Sequence, residues 1–181
     1  MELLEIIKTR RSIRRFQPKE IPQAALEQIL EAIRWAPSWN NTQCWEVILV
    51  RNSNRKAELL ECVPKFNPGY KAIGEAPLLL VIFGKLKSSG YYQGASTTKH
   101  GDWFLFDLGL ATQNACLTAH SLGLGTVIVG LFDHDGVKGV LCIPAGYEVV
   151  ALLPVGYPAH QPSHGPRRKE TPEFMHEESF H

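Results

Sequence analysis

The sequence lacks the short motifs of the most familiar metal and catalytic centres. Its four cysteines include no C-x-x-C pair and its seven histidines no H-E-x-x-H motif, so no metal centre is expected. It has no G-x-S-x-G turn of a serine hydrolase, and no G-x-G-x-x-G that opens a helix after a strand. Any chemistry must therefore come from other residues.

The chain also lacks an excess of charge and a long apolar run. Nineteen Lys and Arg against eighteen Asp and Glu give a net charge of +1, which favours neither nucleic acid nor an anionic membrane as a partner. The longest apolar stretch, residues 103–124, predicts a buried core helix because the polar side chains of Asp107, Gln113, Asn114 and His120 would need partners in a membrane. The first residues are acidic, unlike a signal peptide, and we expect a cytoplasmic protein.

With 181 residues, 44% of them hydrophobic and 20% charged, the chain has the length and composition of one globular domain. Cys44, Cys116 and Cys142 have apolar neighbours and are expected to be inert core thiols. The apolar patterns predict helices at 2–9, from Pro22 to Pro37, at 54–62 and from Asp102 to Gly123, and strands at 47–50, 78–83, 126–129 and 149–155.

Two segments do not fit this core. Residues 85–101 form a long predicted loop and a candidate lid, since loops of this length are commonly functional. From Pro158 onward the chain cannot build its own core, yet it carries Phe174, Met175 and Phe180. A second copy of the chain is the simplest surface for these side chains to cover, so we predict a homodimer.

A basic cluster follows the first helix, with four arginines in the seven residues 10–16. Guanidinium groups match phosphate or carboxylate bidentately, and the Ser12 hydroxyl adds a donor, so the cluster predicts an anion site that suits phosphate. Arg167 and Arg168, near the end of the chain, are candidates for the same anion. The alternative is a solvated basic turn paired with nearby acids such as Glu20.

The segment 36–45 is rich in side-chain amides and indoles. Amides supply both donors and acceptors, as the edge of a heteroaromatic ring requires, and indoles can flank a flat ligand. Further along, Gly130 ends an apolar strand and could present its peptide N–H to a ligand. The alternatives are ordinary turns, a core role for the tryptophans and a simple strand end.

Taken in order, these segments resemble the FMN-dependent nitroreductase family over nearly the whole chain. The matching pieces are residues 10–16, Ala36-Pro37-Ser38 with Asn41, Gln43 and Trp45, the segment 107–125, Gly130-Leu131-Phe132-Asp133, Gly156-Tyr157-Pro158 and the terminal arginines. The resemblance implies an α+β fold with a mostly antiparallel central sheet flanked by helices. It also implies an intertwined homodimer with FMN at the interface, in which a C-terminal arm, about 158–181, reaches over the partner.

The resemblance also implies roles for particular residues at the phosphate end of FMN. Arg10 and Ser12 would bind the phosphate, and Arg11 would supply backbone or ribityl contacts. Arg168, with Arg167, would close on the same phosphate.

A second set of residues would surround the flavin ring. Arg14 would face N1 and O2, where a cation stabilises the charge that appears on reduction. The N–H of Val129 or Gly130 would lie beside N5. The other subunit would supply residues that pack against the ring or lie near it, namely Pro37, Ser38, Trp39, Asn41 and Gln43.

The implied activity is ping-pong transfer of hydride from NAD(P)H through FMN to a nitroaromatic, a quinone or a similar acceptor, without a side-chain nucleophile. Tyr91, Tyr92 and Trp103 are candidates for lining the acceptor pocket, with packing under the loop as the alternative. Cys44 stands where the family usually has proline and Trp39 where a small residue is common, so the pocket is expected to be narrower or more aromatic.

The sequence is also compatible with other functions. Related folds reduce alkenes, remove halogen reductively or fragment the flavin, and a protein with the same arginines could bind FMN only to store or sense it. A nucleic-acid module based on the arginine cluster is disfavoured by the charge balance.

Overall fold

The computed structural model describes residues 2–160 and 165–180. The helices are α1 (Leu3–Thr9), α2 (Gln23–Arg34), α3 (Ser53–Glu61), α4 (Tyr70–Glu75), α5 (Phe104–Ser121) and α6 (His134–Val140). The strands are β1 (Trp45–Val50), β2 (Leu78–Lys85), β3 (Tyr91–Tyr92), β4 (Ala95–Ser96), β5 (Gly125–Thr126) and β6 (Tyr147–Gly156). Short 3-10 turns lie at Trp39–Asn41 and Thr171–Glu173.

A four-stranded antiparallel sheet forms the centre of the molecule, in the order β1-β2-β6-β5, and β3 pairs with β4 in a separate hairpin. Successive side chains of β2 alternate between two cores, with Leu79 and Val81 in one and Leu78 and Leu80 in the other. Because both faces of β2 are covered, its sequence is a continuous apolar run. The predicted α+β class with an antiparallel sheet is confirmed.

Helices cover both faces of the sheet. On one face α2 and α5 pack together, and Leu26, Ile29 and Leu108 join the core there. On the other face α3, α4 and α6 contribute Leu59, Ile73 and Val137, each at most 1% exposed. The sheet is thus the middle of three layers, and loops at its ends are free to form a site.

Several predicted elements need correction. The helix predicted from Pro22 to Pro37 is α2, which ends at Arg34 with Trp35 as its C-cap, three residues before the proline. The predicted loop 85–101 contains the hairpin β3–β4. Helices α4 and α6, of six and seven residues, were not predicted, because so few turns give no clear apolar period.

The third predicted strand is interrupted. Of the residues 126–129, Thr126 belongs to β5, and Val129 pairs with Leu152 only through an isolated bridge. The expectation that Cys142 is a core thiol is wrong: this residue is exposed and follows α6 with a φ of 54°.

After β6 the chain runs beside the basic cluster at residues 10–16, which we call the arginine-rich loop. The Gln17 N–H donates to the Tyr157 carbonyl at 2.9 Å, and the Ala159 N–H donates to the Arg15 carbonyl at 3.0 Å. Within the predicted arm 158–181, residues 161–164 and 181 lie outside the described residues. The apolar side chains of the arm are exposed in this single chain: Phe174, Met175 and Phe180.

Candidate functional site

The arginine-rich loop lies against β5 at the edge of the sheet. The Ile13 N–H donates to the Thr126 carbonyl at 2.8 Å, and Ser12 forms an isolated bridge with Thr126. The side chains of Ile13 and Phe16 are buried, whereas Ser12 and Arg14 are exposed. The apolar residues therefore hold the loop in place while the polar ones face outward.

Arg10 and Arg11 lie beside the C-terminal half of α5. Burial, together with the positive charges of Arg10 and Arg11, lowers the pKa of His120, which hydrogen-bonds Thr9 Oγ1 through Nε2 at 2.9 Å. Nη1 of Arg11 donates to the carbonyls of Lys8 at 2.6 Å and Arg10 at 2.9 Å. Its Nε is buried without a hydrogen-bond partner among the described residues.

Arg14 lines a cavity of about 260 Å³ together with residues 127–131 and the turn 67–69. Val129 exchanges two 2.9 Å backbone hydrogen bonds with Leu152, which engages its N–H in the sheet. Gly130 is exposed and lines the cavity. The backbone N–H groups of Val129 and Gly130 are the two candidates from the sequence. Because the Val129 N–H is engaged, the Gly130 N–H is the one that can face a ligand.

Sequence reasoning missed the turn Asn67-Pro68-Gly69 in the wall of this cavity. Asn67 Nδ2 donates to the Leu131 carbonyl at 2.9 Å, and Asn67 Oδ1 accepts from the Gly69 N–H at 2.8 Å. A Cβ at Gly69 would lie 2.5 Å from Val129 Cγ2, so only glycine permits this approach. The sequence Asn-Pro-Gly is typical of a turn, but it does not predict that this turn contacts residues 129–131.

The amide-rich loop, residues 37–43 between α2 and β1, has a strained backbone. Asn40, Asn41 and Gln43 have φ values of 47°, 54° and 46°, in the left-handed region. Ser38 Oγ accepts from the Gln43 N–H at 2.9 Å, and Gln43 Nε2 donates to Asn41 Oδ1 at 3.2 Å. Strain of this kind persists where surrounding contacts impose it, and it clusters at functional sites.

Asp107, one turn into α5, anchors this loop. Both of its carboxylate oxygens lie 3.2 Å from the Trp39 backbone nitrogen, which donates to them. The neighbouring Cys44 is buried, and this burial together with the Asp107 charge raises the pKa of its thiol to about 12.

The two groups of predicted cofactor residues lie at opposite ends of α5. The Trp39 N–H donates to Asp107 near the start of α5. Arg10 lies beside His120 near the end of the same helix. At 1.5 Å per residue these two helix positions are about 20 Å apart. One subunit therefore does not bring the amide-rich loop and the arginine-rich loop together.

A second cavity, of about 530 Å³, lies beside the amide-rich loop and is lined by Trp39, Asn40, Tyr92 and Thr97. The Tyr92 side chain is exposed, and Tyr91 is half-buried. Trp103 does not line this cavity. Its ring packs against two neighbouring side chains instead, with its centroid 5.7 Å from that of His100 and 5.4 Å from that of Phe106.

The C-terminal arm returns to the arginine-rich loop of its own chain. A Cβ at Gly165 would lie 2.4 Å from Arg11 Nε, so the arm passes directly over that side chain. Two residues later Arg167 donates to Glu173 Oε2 at 3.3 Å, while Arg168 is exposed. The structure thus leaves Arg168 as the arginine of the pair without an ion-pair partner among the described residues.

The sequence profile of the Nitroreductase family matches residues 7–68 and 65–157. These ranges include both the arginine-rich loop and the amide-rich loop. The chain belongs to the nitroreductase family.

Individual relatives extend over most of the chain. The "Putative NADH dehydrogenase/NAD(P)H nitroreductase" of Methanothermobacter thermautotrophicus is 33% identical, over 99% of this chain and 88% of the relative. The "FMN reductase [NAD(P)H]" of Bacillus subtilis is 29% identical, over 92% and 70%. The crystal structure of a nitroreductase family protein from Clostridium novyi NT matches with a TM-score of 0.78 at 29% identity, covering 87% of this chain and 86% of that one.

Two features that the described residues lack bear on the kind of site. Residues 2–160 and 165–180 contain no helix with the length and apolar character needed to span a membrane. The same part of the chain holds no group of three or more His, Cys, Asp and Glu side chains placed to bind a metal ion.

Proposed function

We propose that the protein is an FMN-dependent oxidoreductase that takes hydride from NAD(P)H and reduces a nitroaromatic, a quinone or a similar acceptor. The observation that carries the proposal is the position of Arg14 in one cavity with Gly130. A cation and a peptide N–H on one face suit a flavin ring that becomes negatively charged on reduction.

The residues present fit FMN. At the phosphate end, Arg10, the exposed Ser12 hydroxyl and the exposed Arg168 would bind the anion, and the buried Arg11 Nε is a donor that an anionic oxygen would satisfy. Arg14 and Gly130 would contact the ring. Bound FMN would supply hydride acceptance and donation, so the protein needs only to bind, orient and shield it.

A homodimer completes the site in this proposal. Since α5 separates the amide-rich loop from the arginine-rich loop by about 20 Å in one chain, residues 37–43 would reach the flavin from the second subunit. Apolar side chains exposed along α1, α5 and the arm support this arrangement, because a stable monomer rarely leaves so many uncovered: Leu3, Leu4, Ile7, Leu105, Phe106, Phe174, Met175 and Phe180.

The cavity between Trp39 and Tyr92 is the proposed place for the acceptor. Two aromatic side chains and the Asn40 amide suit a flat molecule that carries oxygen atoms. The names of the two curated relatives, an NAD(P)H nitroreductase and an FMN reductase, agree with this class of acceptor.

Steady-state kinetics of the FMN-loaded protein tests the proposal. Turnover should occur with NADH or NADPH and either duroquinone or 4-nitrobenzoate, and double-reciprocal plots at several acceptor concentrations should be parallel, as ping-pong transfer requires. A protein that binds FMN tightly but turns over no donor and acceptor pair would be a storage protein, and the proposal would be wrong.

A further inference from the structure

Asp107 is a buried carboxylate without a cation. Its side chain is 1% exposed, and none of the ion pairs among the described residues includes it. Its charge is met by donors alone: Ser89 Oγ at 2.6 Å, the Trp39 N–H at 3.2 Å and Cys44 Sγ at 3.6 Å. Burying a carboxylate in this way is costly, so a use for it is to be expected.

Two of the donors to Asp107 belong to the two segments that line the 530 Å³ cavity, one with Trp39 and Asn40 and the other with Tyr92 and Thr97. Trp39 is itself one wall. Ser89 is the base of the other, because the neighbouring Gly90 carbonyl accepts from the Thr97 N–H at 2.8 Å and from Thr97 Oγ1 at 2.9 Å. A short chain of hydrogen bonds therefore runs from Trp39 through Asp107 to residues 86–103, the hairpin segment, which carries Tyr92.

The bond from Ser89 is the strongest link in this chain. The Ser89 hydroxyl donates to the Asp107 carboxylate at 2.6 Å, a distance in the range of charge-assisted hydrogen bonds. Ser89 is fully buried, so water does not compete for it. The Cys44 thiol, whose ionisation burial disfavours, stays protonated and remains a donor to Asp107.

We propose that Asp107 is a positioning residue that fixes the width of the acceptor cavity by joining its two walls, and thereby selects among flat acceptors by size. The inference rests on the proposed function, since it assumes that acceptors bind between Trp39 and Tyr92. Loss of the carboxylate would let the hairpin segment move away from Trp39. Single-ring acceptors would then lose more contact than larger ones.

Three variants test the link. Asp107→Ala removes it, and Ser89→Ala removes only its hydrogen bond to the hairpin segment. Asp107→Asn should restore most of it, because its amide oxygen can accept from the Trp39 N–H while its NH2 donates to Ser89 Oγ. Lys56→Met is the matched control: Lys56 is also buried, but its Nζ donates at 2.8 Å to the Ala76 carbonyl, away from the cavity.

The first measurement is hydrogen exchange followed by mass spectrometry, which needs no activity. Asp107→Ala should accelerate exchange about tenfold in both segments, 37–44 and 86–103, as loss of a charge-assisted hydrogen bond would. Ser89→Ala should accelerate it in 86–103 alone, and Lys56→Met in neither. Unchanged exchange in both segments of Asp107→Ala and Ser89→Ala would overturn the proposal.

The second measurement is selectivity between duroquinone, with one ring, and 9,10-phenanthrenequinone, with three. The ratio of kcat/KM for the smaller to the larger quinone should fall about fivefold in Asp107→Ala and Ser89→Ala and recover in Asp107→Asn. Turnover of ferricyanide, which need not enter the cavity, should change little. Equal losses for all three acceptors would mean a merely structural role and would contradict the proposal.

The two measurements distinguish a failure of the proposed function from a failure of the proposed role of Asp107. If wild-type protein binds no FMN and reduces no acceptor, the proposed function fails, and the size-selection part of the inference fails with it. The exchange experiment would still decide whether Asp107 joins the two walls.

Discussion

Arg14 and Arg15 are adjacent arginines with different surroundings. Arg15 Nε donates to Glu75 at 3.0 Å on the surface, whereas Arg14 lines the cavity beside Gly130. If Arg14 faces the flavin, Arg14→Gln should lower the two-electron midpoint potential of bound FMN by about 30 mV, equivalent to ~1.4 kcal/mol. Spectroelectrochemistry would measure this shift.

Arg15→Gln is the control for that experiment, because it removes the same charge from the same loop at a position already paired with Glu75. The potential should be unchanged in this variant, and FMN affinity nearly unchanged in both. An equal potential in wild type and Arg14→Gln would remove Arg14 from the proposed role.

Cys44 makes stability depend on pH in the alkaline range. Its pKa is raised to about 12 in the folded chain, above the ordinary value of 9.0. Between these values the unfolded thiol is ionised and the folded one is not, so the folded state binds more protons and stability falls as pH rises. The slope from this group is at most about 1.4 kcal/mol per pH unit.

We therefore expect Cys44→Ala, though less stable at neutral pH, to lose less stability than wild type between pH 9 and pH 11. Urea denaturation at a series of pH values would measure the difference. Cys142→Ala removes an exposed thiol and should follow the wild-type curve. Parallel curves for Cys44→Ala and wild type would show that burial does not suppress the ionisation of Cys44.

At the scale of elements, the contact between β5 and the arginine-rich loop depends on glycine. A Cβ at Gly125 would lie 2.4 Å from Ile13 Cγ1, whereas a Cβ at Gly139, in α6, would meet nothing within 4 Å. Gly125→Ala should lower the free energy of unfolding by about 2 kcal/mol through overpacking. Gly139→Ala should raise it by about 0.5 kcal/mol.

Urea denaturation compares these two glycine variants directly. Gly125→Ala should also weaken FMN binding, because the residue that must move carries the loop with Ser12 and Arg14. A Gly125→Ala protein with wild-type stability and FMN affinity would show that the loop is not held where the structure places it.

Elements with strong local signals were predictable, and elements defined by contacts were not. The apolar run of β2 and the apolar stretch of α5 gave the centre of the fold, because burial on several sides leaves a continuous pattern. The Asn67 turn and the anchoring of Trp39 by Asp107 depend on contacts 64 and 68 residues apart in sequence. No local pattern encodes those distances.

The same limit applies within the candidate site. Arginines and amides in short segments were recognisable from the chemistry of their side chains. Which of Val129 and Gly130 has an available N–H depended on the pairing of Val129 with Leu152. Whether Tyr92 or Trp103 lines the cavity depended on the fold of the hairpin segment, which the sequence presented only as a loop.

For the whole molecule, the proposed FMN site requires a dimer, because it draws on residues of two subunits. The mass of the wild-type protein determined by sedimentation should be about 40 kDa, twice the chain mass of 20.2 kDa. Phe106→Asp places a charge among the exposed apolar residues of α5 and should reduce both dimer content and FMN affinity, since the site would draw on both subunits. Analytical ultracentrifugation and flavin titration would measure the two effects.

Phe106→Leu keeps an apolar side chain at the same position and should remain dimeric. If Phe106→Asp becomes monomeric but binds FMN as tightly as wild type, the site does not need a second subunit. The separation of the two loops along α5 would then need another explanation.

The visible spectrum of the purified protein, reconstituted with FMN, before and after anaerobic addition of NADH or NADPH would show whether the bound flavin carries hydride between a donor and an acceptor. We expect a yellow protein that bleaches with at least one donor and recovers its colour when a quinone or a nitroaromatic compound is added. A protein that takes up no FMN, or whose bound flavin neither donor bleaches, would contradict the proposed function.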